Sequence, residues 1–530
     1  MRADRARLAI WVVLGLIAAA YIGVPQAGWV WDDEALVLRN LALLEPTWAR
    51  VFGGDLWCCI PGAPTSAYYR PLLTVTLLLD RLLFGANPAG FHAVSVLWHL
   101  VATGLGYVVL KDRVGPARAA VAALIFGMHP LQSEAVVWVA ARNDLLAGAF
   151  IFGALAALDR GRLGLLAGCA FLACLSKENA FLLPAIAWMW RRAWGERLGG
   201  REAGALGAGI AVAMALRLAA ELGGQAFNEP HAALTLQSAV RAAVTVLGWL
   251  TWPWPLTTMA SLYRAPPSPG TWLSAVASVA LLAWLFVRGG PRARWLLSIA
   301  AFTYLPALAG IHWYATIGER YLYVPMFGLA AAVAASVPPS RAALATLAVA
   351  TVAAIGALHV RVPDWANETT LFRAAVDRAP DGFSLSMYGA HLIQQGRWRD
   401  GAVTLERAIQ AEPPNFRACR SLPIAAGHLL DDEAYRARMA VWLERGCKGV
   451  EFDVNLAMVL VTRHQWDLAE PRIALLEWKD TARREDILRA ALALHQGDLT
   501  GAGAIALAWP GGPSDLVDQA AVLARGRPTP

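Results

Sequence analysis

Residues 8–40 read LAIWVVLGLIAAAYIGVPQAGWVWDDEALVLRN. The apolar run from Leu8 to Val24 approaches the roughly 20 residues an upright membrane helix needs, and Asp32, Asp33 and Glu34 follow within a few residues. Whether that run is a cleaved signal or a retained helix decides the fold. No small-residue cleavage site follows it and further apolar runs do, so it reads as a first transmembrane helix. Trp29 and Trp31 then sit at headgroup level and hold the acidic triplet against the membrane surface.

The rest of the chain has the same character. It is 530 residues long, 57% hydrophobic and 16% charged, with a mean hydropathy of +0.45. That is too apolar for a soluble enzyme and predicts a multi-spanning membrane protein. Apolar stretches fall near 8–24, 88–110, 117–129, 143–158, 163–176, 179–190, 203–222, 236–254, 271–287, 295–310, 321–337 and 342–360. The net charge of +7 is dispersed over short Arg-rich loops and forms no basic stripe, which excludes nucleic acid as a partner and speaks instead about orientation. MRADRAR, KDRVGPAR (111–118), DRGR (159–162), RRAWGERLGGR (191–201), RGGPRAR (288–294) and PPSR (338–341) are expected on the cytoplasmic side. WDDE, HPLQSEAVVWVAARND (129–144), SKEN (176–179), the loop 223–235 and GERYLY (318–323) then emerge together on the opposite face. The count closes at about 11 spans if 236–254 is re-entrant or interfacial and 68–84 lies in the interface.

After His359 charged residues become more frequent and apolar residues recur at helical spacing. FSLSMYGAHLIQQGRWRDGAVTLERAIQAEP (383–413) has the pattern of a tetratricopeptide repeat: two short helices with Gly389 at their crossing, Gly396 at the turn and Pro413 at the end. Trp398 recurs as Trp466, two periods of about 34 residues later. Residues 429–444 fit a degenerate repeat and 494–507 a fourth, giving an α-solenoid of about four repeats on the external face. Cys419 and Cys447 would stand in an oxidising compartment there, either as a disulfide or as two buried thiols.

Each external cluster admits a structural and a chemical reading. Asp32 and Asp33 are either a solvated loop start or a general base with a neighbour that positions the acceptor or raises its proton affinity. Around His129, Glu134, Arg142 and Asp144, a Glu–Arg network competes with a phosphate site, because guanidinium matches phosphate oxygens bidentately. Lys177 and Glu178 form either a local ion pair or a second phosphate cation with its neighbour. Glu319 and Arg320, ahead of Tyr321 and Tyr323, form either a snorkelling anchor or a third cation. His129 and Glu134 lack a third ligand and make a weak metal signal. One carboxylate pair and three cations on one face is an inventory for displacing a phosphate leaving group beside a membrane.

WDDEALVLRN, YRPLLTVTLLLD with NPAGFHAVSVLWH, HPLQSEAVVWVAARNDLLA, SKEN and ERYLYVP, in that order and ahead of the repeats, resemble the transmembrane and tetratricopeptide repeat-containing O-mannosyltransferases and their bacterial relatives. The resemblance implies an all-α polytopic GT-C fold over residues 1–362, a periplasmic repeat domain over 363–530, and sugar transfer from a polyprenyl-phosphate donor to hydroxyls of a protein acceptor at a bacterial inner membrane. It implies Asp32 as base with Asp33 beside it. Arg142, Lys177 and Arg320 fall where donor-phosphate contacts are expected, and His129, Glu134, Glu178, Glu319, Tyr323 and Arg70 stand at motif positions without an assigned role. No cofactor is expected, a divalent metal being disfavoured by the small number of acids close in sequence. The chain departs from the animal members in Asn143, in its few repeats and in shorter external loops, which bears on the sugar and the acceptor. The rival reading is a non-catalytic membrane scaffold whose repeats dock proteins.

Overall fold

The computed structural model describes residues 2–61, 63, 66–220, 235–254, 256–258, 260–261, 267–314, 316–338, 340–412, 415–476, 483–498, 500, 505 and 519–520. The predicted external loop 223–235, apart from Thr235, Pro413 after the first repeat, and most of the predicted fourth repeat beyond residue 498 lie outside the described residues. The chain divides into two compact units that part between Arg378 and Ala379.

The first unit is helical, and every predicted apolar stretch carries a helix. Among the described residues, six helices are long and apolar enough to cross a membrane: Leu8–Gln26, Pro88–Val114, Val139–Asp159, Gly200–Ala219, Pro269–Arg288 and Arg341–Ala366. Pro116–Met128 and Pro130–Val137, bent by 53° at a short break, count as a seventh if taken as one span. Residues 163–176, 183–193, 236–251 and 323–336 form helices of 14, 11, 16 and 14 residues, shorter than an upright crossing. The difference from the expected eleven has a local cause. The polar motifs fall at breaks in the apolar runs: a 3₁₀ turn at Pro130–Gln132, another at Glu178–Leu182, a third at Glu319–Leu322, and a π turn at Glu34–Leu38. Irregular backbone at membrane depth is tolerated where it is buried in protein or lines a wet cavity.

Local chemistry fixes the helix ends. Asn87 caps Pro88–Val114 by accepting from the Ala89 amide, with proline at the first position, where its missing N–H costs nothing. Ser268 and Ser340 cap the helices that begin at Pro269 and Arg341. Gly115, at φ +85°, lets the chain reverse between Val114 and Pro116, a conformation that a side chain would disfavour. Residues 260–261 pair antiparallel with 316–317 in a two-residue ladder that pins the segment entering Gly318–Arg320.

The two ends of the helix Arg142–Asp159 lie about 27 Å apart at 1.5 Å per residue, and each belongs to a different charge cluster. At the Asp159 end, Arg113 pairs with Asp159 at 2.5 Å and with Glu196, Arg191 pairs with Glu196 and Glu202, and the Trp190 indole donates to Asp159 at 3.0 Å. Three of the basic loops predicted to share a side are thus brought together. The acidic loop and the external motifs gather at the Arg142 end.

The second unit is a succession of short helices, Gly382–Gln394, Trp398–Ala411, Phe416–Leu429, Asp432–Glu444, Val450–Thr462, Trp466–Ala474 and Arg483–Gln496. Gly389 allows close crossing of the first two, since a Cβ there would lie 2.7 Å from Leu405. Trp398 stacks on His428 with ring centroids 3.9 Å apart, and Trp466 on His495 at 4.0 Å, so the recurrence of the tryptophans in sequence is a recurrence of contact. Cys419 and Cys447 form a disulfide, which resolves the two readings of that pair.

Candidate active site

The acidic loop is held from several sides. Gly28 donates its amide to the Trp365 carbonyl at 3.2 Å, where a Cβ would lie 2.5 Å from the Ala366 carbonyl oxygen. His92 Nε2 contacts the Gly28 carbonyl at 3.2 Å, and Trp29 meets Phe91 edge to face. Trp31 then adopts φ +54°, a left-handed conformation that costs a bulky residue about 1–3 kcal/mol. Its surroundings impose this. The Trp31 indole stacks on Trp138 at 5.0 Å and 12°, its edge meets Phe372, and its amide donates to Glu368 Oε1 at 2.9 Å.

That turn sends the two following carboxylates in different directions. Asp33 is fully buried, with Oδ1 accepting from the Ala140 amide at 2.7 Å. Burial holds its carboxyl well above the usual carboxylate range, the Ala140 amide opposing. It braces the Val139–Ala141 turn against the acidic loop. Asp32 is half-buried; desolvation pushes its carboxyl up to about 6, with Arg320 pulling it down and Glu368 pushing it up. A carboxylate tuned close to neutral pH is suited to accept a proton.

Three predicted site residues and one unforeseen cation form a linked group, and one of them, Arg320, acts on the Asp32 carboxyl. Arg320 pairs with Glu134 through its side chain and through its amide at 3.2 Å, and its guanidinium lies 4.7 Å from the Trp138 ring centroid and 4.8 Å from that of Tyr321. Lys177 bonds Asp144 at 2.5 Å and stands 5.5 Å from the Tyr321 ring. Its ammonium has three donors, of which that bond takes one; burial draws its pKa down, Asp144 opposing. Arg70 meets Glu178 at 2.8 Å and rests 4.4 Å from the Tyr68 ring, while Arg217 adds a longer contact to Glu178 at 3.9 Å. Each of these cations lies against a carboxylate, and Arg320, Lys177 and Arg70 each lie over an aromatic face as well. Their side chains keep 13%, 12% and 13% of their exposure.

Arg142 differs. Its side chain is 0% exposed, its guanidinium sits 2.5 Å from Asp80, and it donates to Ser95 Oγ at 3.1 Å and to the Phe91 carbonyl at 2.7 Å. Enclosed in this way, it does not present its donors to a phosphate. The structure thus places Arg142 as an internal tie between Pro71–Phe84, Pro88–Val114 and the start of its own helix, apart from the group of Arg320, Lys177 and Arg70. Tyr323 and His129 are likewise committed: the Tyr323 hydroxyl contacts His99 Nδ1 at 2.9 Å, and His129 Nδ1 accepts from the Leu131 amide at 3.3 Å as a cap. Glu319 is buried against Arg361 at 3.2 Å, in a network that continues through Asp364 to Arg378. Glu134 and Glu178 act as counter-ions to Arg320 and Arg70.

Sequence reasoning left out Asp80 as a partner, Arg217, Tyr68, Trp138 and Glu368. Tyr68, one residue ahead of the quoted YRPLLTVTLLLD motif and two before Arg70, offered a signal; Glu368 offered none. No group of three or more His, Cys, Asp or Glu suited to a metal occurs among the described residues.

No family model matches the chain. Over 159 residues it is 30% identical to human Protein O-mannosyl-transferase TMTC3, covering 29% of this chain and 17% of the relative. Over 140 residues it is 34% identical to mouse Protein O-mannosyl-transferase TMTC2, covering 26% and 16%. Drosophila melanogaster Protein O-mannosyl-transferase Tmtc1 is 33% identical over 134 residues. A crystal structure of ArnT from Cupriavidus metallidurans bound to undecaprenyl phosphate aligns over 91% of this chain and 97% of that one at 17% identity, with a TM-score of 0.39, too low to carry an argument. The chain is thus similar to the TMTC protein O-mannosyl-transferases over a stretch that spans 16–17% of the length of the first two of these relatives.

Proposed function

We propose that the chain is an inverting GT-C glycosyltransferase that moves a sugar, mannose or another hexose or pentose, from a polyprenyl-phosphate donor to hydroxyl groups of a periplasmic protein at a bacterial inner membrane. The observation that carries this reading is the half-buried Asp32, its carboxyl raised to about 6, within the field of Arg320, which together with Lys177 and Arg70 forms a group of mostly buried cations held on aromatic faces. Similarity to protein O-mannosyl-transferases supports the reaction class.

In this reading Asp32 takes the proton of the acceptor hydroxyl as its oxygen attacks the anomeric carbon and the bond from that carbon to the phosphate oxygen breaks. Negative charge gathers on the departing polyprenyl phosphate. Arg320, Lys177 and Arg70 stabilise it from positions fixed before the reaction, so little reorganisation is needed as the charge develops. Asp33 and Arg142 are positioning residues, one bracing the turn at 139–141 and the other locking the helix that follows it. We read the site as metal-independent: activity retained in EDTA agrees with this, and restoration specifically by Mg²⁺ or Mn²⁺ overturns it. Residues 1–378, the boundary moved from 362 because the helix Glu368–Arg378 belongs to the first compact unit, form the transferase domain. Residues 379–530 form a periplasmic domain of tetratricopeptide type that engages the acceptor. The N-terminus is cytoplasmic.

The test is transfer of labelled mannose from a polyprenyl-phosphate donor to protein, in membranes with and without the chain. Transfer that requires the chain and falls when unlabelled polyprenyl phosphate competes supports the reading. A chain that binds protein partners through its C-terminal unit, with no transfer from any hexose or pentose donor, would instead be a scaffold.

A further inference from the structure

Cys58 and Cys59 are adjacent in sequence and neither is used by the site described above. Their sulfurs lie 2.8 Å apart, well inside an ordinary non-bonded contact, and both face the Arg50 carbonyl, at 3.9 and 3.6 Å. Cys58 is exposed and Cys59 partly so.

The turn that carries them is built. Asp55, 4% exposed, accepts from the Trp57 amide at 2.7 Å and the Ser66 amide at 3.0 Å. Leu56 donates to the Tyr68 carbonyl, and Leu41 donates to the Cys59 carbonyl, each at 2.8 Å. The backbone on both sides of the pair is thus fixed, and the two side chains are directed to one point.

The compartment follows from the chain itself. The acidic loop touches residues 365–372 through Gly28 and Trp31, so the last candidate span ends on the membrane face that bears that loop. No candidate span follows residue 366 among the described residues, and the chain beyond it contains the Cys419–Cys447 disulfide. Residues 41–70 lie between the first two candidate spans, in the same inter-span segment as the acidic loop. The dithiol therefore faces the compartment in which this chain forms a disulfide.

We propose that Cys58 and Cys59 are a thiol-oxidation site that closes to a vicinal disulfide by exchange with a protein disulfide oxidant. The exposed Cys58 thiol, whose pKa burial and the neighbouring Cys59 raise, gives up its proton as its sulfur attacks one sulfur of the oxidant's disulfide and expels the other as a thiolate. Cys59 then attacks Cys58 Sγ, closing an eight-membered ring that includes the peptide bond between the two cysteines. Two thiols lose two protons and two electrons in total, and the oxidant leaves as a dithiol. The pair stands on the segment whose far end carries Tyr68 and Arg70, yet its oxidation does not depend on the transferase reading.

The full-length protein tests this directly. Membranes are quenched in acid, alkylated with a light maleimide without reductant, then reduced and alkylated with a heavy one. Trypsin, which does not cut between Arg70 and Pro71, releases residues 51–81 with these two cysteines and no others. The expected result is a non-reduced peptide two hydrogens lighter than the dithiol, unlabelled by the light reagent and doubly labelled by the heavy one, and light labelling of Cys59 in C58S. Two light labels on the wild-type peptide, while Cys419 and Cys447 stay protected, would overturn the proposal, as would protection by a bond to any other molecule.

Discussion

Arg142 and Lys177 carry the same charge and stand at the same kind of place, a polar motif at the break between apolar helices, yet they end in opposite surroundings. Arg142 is sealed, paired with Asp80 and donating to Ser95 and the Phe91 carbonyl. Lys177 is tethered to Asp144 but keeps 12% of its side chain open, beside Tyr321 and the Arg320 and Arg70 charges. A cation at a helix break is thus either sealed as a strut or left partly open, and the two differ in the solvent left to them. The same contrast separates Asp33, buried on the Ala140 amide, from Asp32, half-open and tuned to about 6.

The largest effect that would break this comparison concerns the strut. Arg142→Met leaves the Asp80 carboxylate buried without its counter-ion, a loss of about 3–5 kcal/mol that should abolish recovery of folded protein, whereas Arg142→Met with Asp80→Leu should restore much of it. Thermal stability in detergent reads both; a folded, fully active Arg142→Met would place Arg142 outside the framework. Next in size, Lys177→Met combined with Asp144→Asn, so that the buried Asp144 carboxylate is not left without its counter-ion, should fold and lose about 10²–10³-fold in transfer, the range for removing one stabilising donor from a charged transition state. A variant that instead fails to fold would make Lys177 a strut like Arg142.

The smallest effect is the sharpest. Asp32 must be ionised to act as a base, so transfer should be flat above pH about 6 and fall as pH drops below it. Glu368 raises that carboxyl, so Glu368→Gln, which retains an oxygen for the Trp31 amide, should move the limb to lower pH by less than about one unit. A limb that moves upward or stays in place would remove Glu368 from the tuning of Asp32.

The helices and the shared face of the motifs were legible in sequence because both follow from local patterns: apolar run length and the placement of Arg in loops. The difference between Arg142 and Lys177 was not. It depends on Asp80, carried by another helix and with no signal that pairs it to Arg142, and on how deeply each group is enclosed by packing. Asp80 was visible as an acid inside an apolar run, but its interfacial reading pointed away from a partner. The choice of Asp32 over Asp33 came from family resemblance; the physical difference, one side chain turned inward by the left-handed Trp31, is set by Trp138, Glu368 and Phe372 together.

The central claim, that Asp32 is the base and Asp33 a brace, is tested most directly by measuring donor binding and sugar transfer side by side for wild type, Asp32→Asn and Asp33→Asn at matched folded amounts. The account predicts that Asp32→Asn binds the polyprenyl-phosphate sugar as wild type does while transfer falls by about 10²–10⁴-fold, and that Asp33→Asn, whose amide oxygen can still accept from Ala140, keeps transfer within a few-fold. An Asp32→Asn protein that transfers sugar at the wild-type rate would contradict it.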